Sequence, residues 1–416
     1  MAVASESSAS TRARSAARSL ALLGRGDKDA ALEQIARRIE TSADAILAAN
    51  ALDVAAARAG GTPAALLDRL VLDPDRLAAL AQAARAVAAL DDPVGEVVTG
   101  WRLPNGLDVQ KVRVPLGVLL VVYEARPNVT VDVACLALKS GNACILRGSQ
   151  SAAQTNAALL DAVRAGLRDT GIAEDAVVPL DCSRDELAAY VGDPSFCDVV
   201  VPRGGEGLKH FLLEHSRVPV LVAAGGNCHV YLHADADPLK ALEIIVNAKT
   251  QRPGVCNAAE TLLVHHDALA LLGPIGDALR AHGVELRADP DAAAALGRPT
   301  TPATESDWET EYLDLILAVR TVDSVDAAID HVERYSTGHS EAIVTESLSA
   351  ADRFVRGIGS ACVYVNASTR FTEGGEFGFG AEIANSTARL HARGPVGLAD
   401  ITTTKYVVRG NGQTRA

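Results

Sequence analysis

Apolar positions along the chain change their spacing in three successive stretches. From about Thr11 to Leu90 they recur at helical intervals with little strand signal. Asp27 reads as the N-cap of the long helical segment that follows it, and Gly60 and Gly61 stop that pattern before Pro63. Thr62 and Asp73 read as caps for LLDRL and DRLAALAQAARAVAAL, so this part predicts three or four helices that pack on a later sheet. At Asp91 the period becomes two. PVGEVVTGWRLPNGLDVQKVRVPLG holds two alternating segments joined by Pro104, Asn105 and Gly106, which predicts a hairpin. It reads equally as an arm that pairs with another subunit or as an ordinary sheet edge.

From Gly117 strands alternate with helices. GVLLVVYEA, NACILRG, AVVPL, CDVVVP and VPVLVAA are the expected strands of the first alternating region. VELRA, LDLILAVRTV, EAIVTES and SACVYVN follow in a second. Such alternation predicts βαβ units and parallel sheets covered on both faces, so the fold class is α/β with two domains. The terminal ITTTKYVV reads as a strand that completes a sheet with the hairpin near Asn105.

Length supports more than one core, because 416 residues exceed an ordinary single domain. A formal net charge of -13 without a run of Lys or Arg excludes the electrostatic footprint of a nucleic-acid binder and favours a small-molecule substrate. The seven cysteines are odd in number and scattered through apolar runs, which argues against a disulfide framework. No cysteine pair has zinc spacing, and the ten histidines form no ligand cluster, so no metal is expected. Neither a signal-peptide apolar region nor a membrane-length apolar span is present, and the chain reads as reduced, soluble and cytoplasmic.

Candidate chemistry centres on Asn247 to His266. A helical pattern over PLKALEIIVNAK ends in Gln251, Arg252, Pro253 and Gly254, and Cys256 follows just before a strand over Thr261 to Val264. A thiol held at an element end beside Lys249 and Arg252 suits thiolate chemistry, while a buried thiol at a loop-to-strand junction is the alternative. Three strand ends in the first region carry Arg126 with Asn128, Arg147 with Gly148, and Gly204 with Gly205 and Gly207. Backbone N–H groups at helix starts favour anions, so these ends suggest a phosphate-bearing cofactor. The Gly-rich STRFTEGGEFGFGAE, residues 368 to 382, is long enough to expect a functional rather than connective role.

On the stretches VRVPLGVLLVVYEARPNVTVDVACLALKSGNACILRGS, VPRGGEGL, GGNCHVY, NAKTQRPGVCNAAETLLV, EYLDLILAV and YVNASTRFTEGGEFGFGAEIANST with LHARGPVGL, the chain resembles the aldehyde dehydrogenase superfamily. It is most similar to the branch that reduces L-glutamyl 5-phosphate in proline biosynthesis. The resemblance implies two Rossmann-like α/β domains plus a small β oligomerisation arm. It assigns residues 1–98 and 116–234 to a cofactor-binding domain, 99–115 and 397–416 to the arm, and 235–396 to a catalytic domain. Cys256 would be the nucleophile and Asn128 would donate to the oxyanion. Arg147, Gly148, Gln150, Gly204, Gly205 and Glu311 would hold the cofactor. Gln150 stands where NAD-preferring members often carry a ribose-binding Glu, and a neutral amide there removes a repulsion against a 2′-phosphate, so NADP(H) is expected. Arg252 and Arg370 first, then Arg126 and Lys249, are the candidate anchors for the substrate anions. The implied partners are a second copy of the chain and glutamate 5-kinase, as a candidate for channelling. The alternative is a hydrolytic NAD(P)-dependent member of the superfamily. Those enzymes carry a general-base Glu where this chain has Ala223 and Ala224, and a base of that kind contributes about 10²- to 10⁴-fold.

Overall fold

The computed structural model describes residues 3–222 and 225–415; Ala223 and Ala224, on which the missing-base argument rests, lie outside the described residues. The first core forms around a four-stranded parallel sheet of Val118–Tyr123, Ala143–Arg147, Val177–Pro179 and Val199–Arg203. In space Ala143–Arg147 and Val118–Tyr123 lie at the centre. Every side chain of Val118–Tyr123 is buried, as a central strand covered on both faces requires. Helices Arg25–Thr41, Pro74–Ala89, Asn128–Lys139 and Ala153–Asp169 supply that cover. Gly166 allows two of them to approach closely, because a Cβ there would stand 2.7 Å from the backbone of Ile35.

Caps follow the sequence signals in part. Asp73 accepts from the Arg76 N–H at 2.7 Å. Asp27, by contrast, lies inside its helix and accepts the Gly24 N–H at 3.2 Å, and Pro63 rather than Thr62 precedes Ala64–Leu70. Segment 218–222 makes only a single bridge, Val220 to Val200, where a strand was expected. Pro219 accepts from the Val200 N–H but has no N–H of its own to extend the ladder.

The second sheet has seven parallel strands in the order Thr301–Pro302, Glu285–Ala288, Ile316–Val322, Ala259–His265, Cys228–Leu232, Ser340–Val344 and Cys362–Val365. Cys228–Leu232 therefore belongs with the second sheet, not with residues 116–234. At the other boundary, Ile383, Ala384, Ala392 and Val396 pack into the core of the first sheet rather than with 235–396. Val97–Arg102 and Asp108–Pro115 form the hairpin, and Thr402–Arg409 pairs antiparallel with its second strand from Pro115 to Asp108. Gly106 takes the turn at φ 88, in the left-handed region open to glycine. Among the described residues, no helix is long and apolar enough to cross a membrane, and no cluster of three metal-ligating side chains occurs.

Candidate active site

Helix Pro238–Thr250 starts on Asp237, whose carboxylate accepts the Leu239 and Lys240 N–H groups at 3.0 and 2.9 Å. Pro253 and Gly254 then turn the chain into strand Ala259–His265, with Cys256 half-buried between them. Its backbone is clamped from two sides. The Cys228 thiol donates to the Cys256 carbonyl at 3.2 Å, and a Cβ on Gly226 would fall 1.4 Å from that oxygen. On the other side, Asn257 donates to the Thr372 carbonyl at 3.0 Å and accepts from the Thr369 hydroxyl at 2.7 Å. The Gly-rich segment is thereby fixed against the cysteine loop, and Arg370 Nε donates to Gln251 at 2.8 Å.

Burial pushes the Cys256 thiol up from its ordinary value; Arg203 and Arg126 pull it down, and Glu311 and Glu382 push it further up. The cations acting most on the thiol are thus not the expected Lys249 and Arg252. Lys249 is fully buried with its ammonium on Glu260 at 2.6 Å, and the Glu260 carboxylate also accepts the Leu313 N–H at 3.2 Å. That pairing removes Lys249 from the accessible anion anchors, because its charge already has a buried partner. Arg252 is exposed. Arg126 is half-buried, and burial followed by repulsion from Arg203 and Arg69 lowers its guanidinium to about 10. Arg69 reaches from the N-terminal helices to the Gly254 carbonyl at 3.2 Å.

Asn128 opens helix Asn128–Lys139 and donates one amide N–H to Asp132 at 2.9 Å, which leaves the second for another acceptor. Ala125, just before Arg126, has φ 38, a conformation uncommon outside glycine that marks a tight exit from the strand. On the cofactor side, a Cβ on Gly148 would meet Asn156 at 2.3 Å, one on Gly204 would meet the Glu124 carboxylate at 2.5 Å, and one on Gly225 would meet Glu311 at 2.3 Å. Gly205 precedes helix Glu206–His215 and donates its N–H to Glu124 at 3.0 Å. A carboxylate therefore stands at that helix start, as its dipole favours. Arg147 donates to the Cys182 carbonyl at 3.3 Å and Gln150 to Asp181 at 3.0 Å. Glu311 accepts the Gly226 N–H at 2.6 Å beside the cysteine loop.

Arg203, Arg69, Glu124, Glu260 and Glu382 contact or act on the cysteine loop and the glycine turn and are not singled out by the sequence. Arg203 stood in view, directly before the glycine turn at a strand end; nothing in its neighbours signalled the others. Glu382 supplies a carboxylate near the thiol from a different part of the fold than residues 223–224; burial raises its pKa, while Arg203 and the Gly374 N–H at 2.9 Å lower it.

A cysteine loop at the amino edge of one parallel sheet, facing the carboxyl edge of another that carries glycine turns, defines a class. Residues 3–279 match the profile of the aldehyde dehydrogenase family, and the chain belongs to that family. The gamma-glutamyl phosphate reductase of Symbiobacterium thermophilum is 51% identical over 97% of this chain and 98% of its own length. That of Thermobifida fusca is 52% identical over 97% of each. The crystal structure of the gamma-glutamyl phosphate reductase from Thermotoga maritima superposes with a TM-score of 0.96 at 46% identity, covering 98% of this chain and 99% of that one. Within the family the chain therefore falls with the gamma-glutamyl phosphate reductases. The fold extends to an acetylating aldehyde dehydrogenase from Geobacillus thermoglucosidasius, with a TM-score of 0.69 at 18% identity.

Proposed function

We propose that this chain reduces L-glutamyl 5-phosphate to L-glutamate 5-semialdehyde with release of phosphate, as a step of proline biosynthesis, through a thioester on Cys256. The observation that carries the reading is a half-buried thiol on which Arg203 and Arg126 act, two arginines that form no ion pair with the protein among the described residues. A substrate with a phosphate at one end and an α-carboxylate at the other suits such a surround, and Arg252 and Arg370 are the anchors for the carboxylate. The free N–H of Asn128 holds the developing oxyanion, and loss of one such donor lowers the rate about 10²- to 10³-fold.

The residues present fit a nicotinamide cofactor. Gly148 and Gly204 make close turns at the carboxyl edge of the first sheet, and the start of helix Glu206–His215, where Gly205 now donates to the Glu124 carboxylate, is a position that suits an anionic group of the cofactor. Arg147 and Gln150 follow the end of strand Ala143–Arg147, Glu311 comes from the loop before Ile316–Val322, and the neutral Gln150 is the reason to infer NADP(H). When bound there, the cofactor supplies the hydride that reduces the thioester.

The rival reading, a hydrolytic dehydrogenase, draws on Glu382, a half-buried carboxyl whose charge raises the thiol pKa. Nucleotide reduction by the semialdehyde, followed with and without phosphate, separates the two. Strict phosphate dependence is expected, together with loss of turnover in Cys256→Ser; turnover without phosphate would refute the proposal.

The hairpin and tail sheet is inferred to pair with a second copy. Trp101 and Tyr406 stack edge-on at 6.3 Å on its exposed face, with exposures of 45% and 61%.

A further inference from the structure

We propose that Arg203 binds the phosphate leaving group, so that this guanidinium, with Arg126 beside it, fits the site to an acyl phosphate; the assignment rests on the reaction proposed above. Arg203 ends strand Val199–Arg203 in register with Tyr123, the last residue of the adjacent strand. Its carbonyl accepts the Glu124 N–H at 3.1 Å. The segment that continues through Arg126 to Asn128 thus leaves the same sheet edge as Arg203, one strand away.

Two features set this arginine apart. It is half-buried, and among the described residues its guanidinium forms no hydrogen bond or ion pair, although Asp132 and Glu382 both lie within its electrostatic reach. Arg126, also half-buried, likewise makes no side-chain hydrogen bond. Two partly desolvated guanidinia that repel one another are unfavourable unless an anion fills the space between them. The other arginines are differently placed. Arg370 is already fixed by Gln251 at 2.8 Å, and Arg252 is exposed on the cysteine loop, both on the side of the second sheet.

Substrate geometry assigns the two walls. The phosphate is bonded through one oxygen to the carbon that Cys256 attacks, whereas the α-carboxylate is several bonds away. Arg203 and the Arg126–Asn128 segment leave adjacent strands at one sheet edge, so with Asn128 on the reacting carbonyl the two arginines are assigned to the group nearest the reacting carbon. In the step itself the sulfur forms the C–S bond and the C–O bond to phosphorus breaks. The electron pair leaves on the phosphate oxygen, and the thiol proton ends on the released phosphate.

The test uses the full chain in the reverse direction, with nucleotide reduction by the semialdehyde measured as inorganic phosphate is titrated. Arg203→Gln is expected to raise the KM for phosphate at least ~10-fold, a loss typical of one charge-assisted contact, while KM for the semialdehyde and nucleotide stays within about threefold. Arg203→Lys, which keeps the charge without the bidentate fork, should fall between, and it carries the test if the glutamine variant does not fold. Arg252→Gln should instead raise the KM for the semialdehyde. The assignment is overturned if Arg203→Gln slows turnover or shifts the pH profile of Cys256 alkylation with phosphate KM unchanged, since the arginine would then act only on the thiol. Phosphate-independent turnover by the unsubstituted enzyme would overturn the reaction as well as the assignment, and it is recognised before any substitution is made.

Discussion

Replacing Lys249 with methionine distinguishes a buried structural cation from a substrate anchor. Both Lys249 and Glu260 are fully buried and meet at 2.6 Å, with the Leu313 N–H as the second partner of the carboxylate. Removal of one member of such a pair leaves the other charge uncompensated and costs about 3–5 kcal/mol. Protonation limits that loss. Burial already pushes Glu260 up to about 7 from 4.5 while Lys249 holds it down, so without the lysine the carboxyl rises further. A carboxyl raised in the folded state keeps a proton that the unfolded chain has released. Its contribution to stability is therefore full below about pH 4.5 and is lost as pH rises through the folded value, by up to about 1.4 kcal/mol per pH unit. Lys249→Met should thus be more destabilised at pH 8 than at pH 6. Urea unfolding midpoints at the two pH values, measured alongside KM for the semialdehyde, provide the check. An unchanged midpoint with KM raised tenfold or more would refute the reasoning and return Lys249 to the substrate anchors.

A methyl group at Gly226 would stand 1.4 Å from the Cys256 carbonyl oxygen, against ordinary contacts of 3.4–4 Å, so the cysteine backbone must retreat. Because a displacement of about 1 Å can cost about 10²-fold, Gly226→Ala should lower kcat at least that much, while Gly207→Ala, in open space, should stay within about twofold. Gln150→Glu places a second carboxylate beside Asp181 and should shift the ratio of kcat/KM from NADPH toward NADH by at least ~10-fold; an unchanged ratio would remove Gln150 from cofactor selection. Deletion of Trp101 to Gln110 should lower the assembly mass seen by light scattering, and an unchanged mass would exclude the hairpin from the subunit contact.

Elements with a strong local cause were legible. The Asn105-Gly106 turn, the Asp73 cap and the all-apolar strand Val118–Tyr123 each declare themselves within a few residues. Cys228–Leu232 was less visible because its buried polar residues depend on distant partners: His229 pairs with Glu341, 112 positions later in the chain. The same limitation governs the site. Lys249 is close to Cys256 in sequence, but its helix turns the ammonium toward Glu260, whereas Arg203 acts on the thiol electrostatically from another sheet. Proximity along the chain is a poor guide to a site assembled at the facing edges of two sheets.

How a chain of net charge -13 can favour a substrate with two anionic ends follows from burial. Charges more than about 8 Å away across solvent are largely screened at physiological salt, so the groups lining the pocket decide its sign. Arg203, Arg126 and Arg370 supply cations there, and Asp132, Glu311 and Glu382 supply carboxyls. Desolvation acts on both kinds, but with unequal effect. It raises Asp132 and Glu382 above their ordinary values, whereas Arg126, lowered to about 10, remains fully charged at neutral pH. Burial therefore disfavours the charged form of these two carboxyls while Arg126 keeps its charge. The local balance shifts toward the cations without any change in the overall charge. The same desolvation that raises the Cys256 thiol thus favours the proposed anion site.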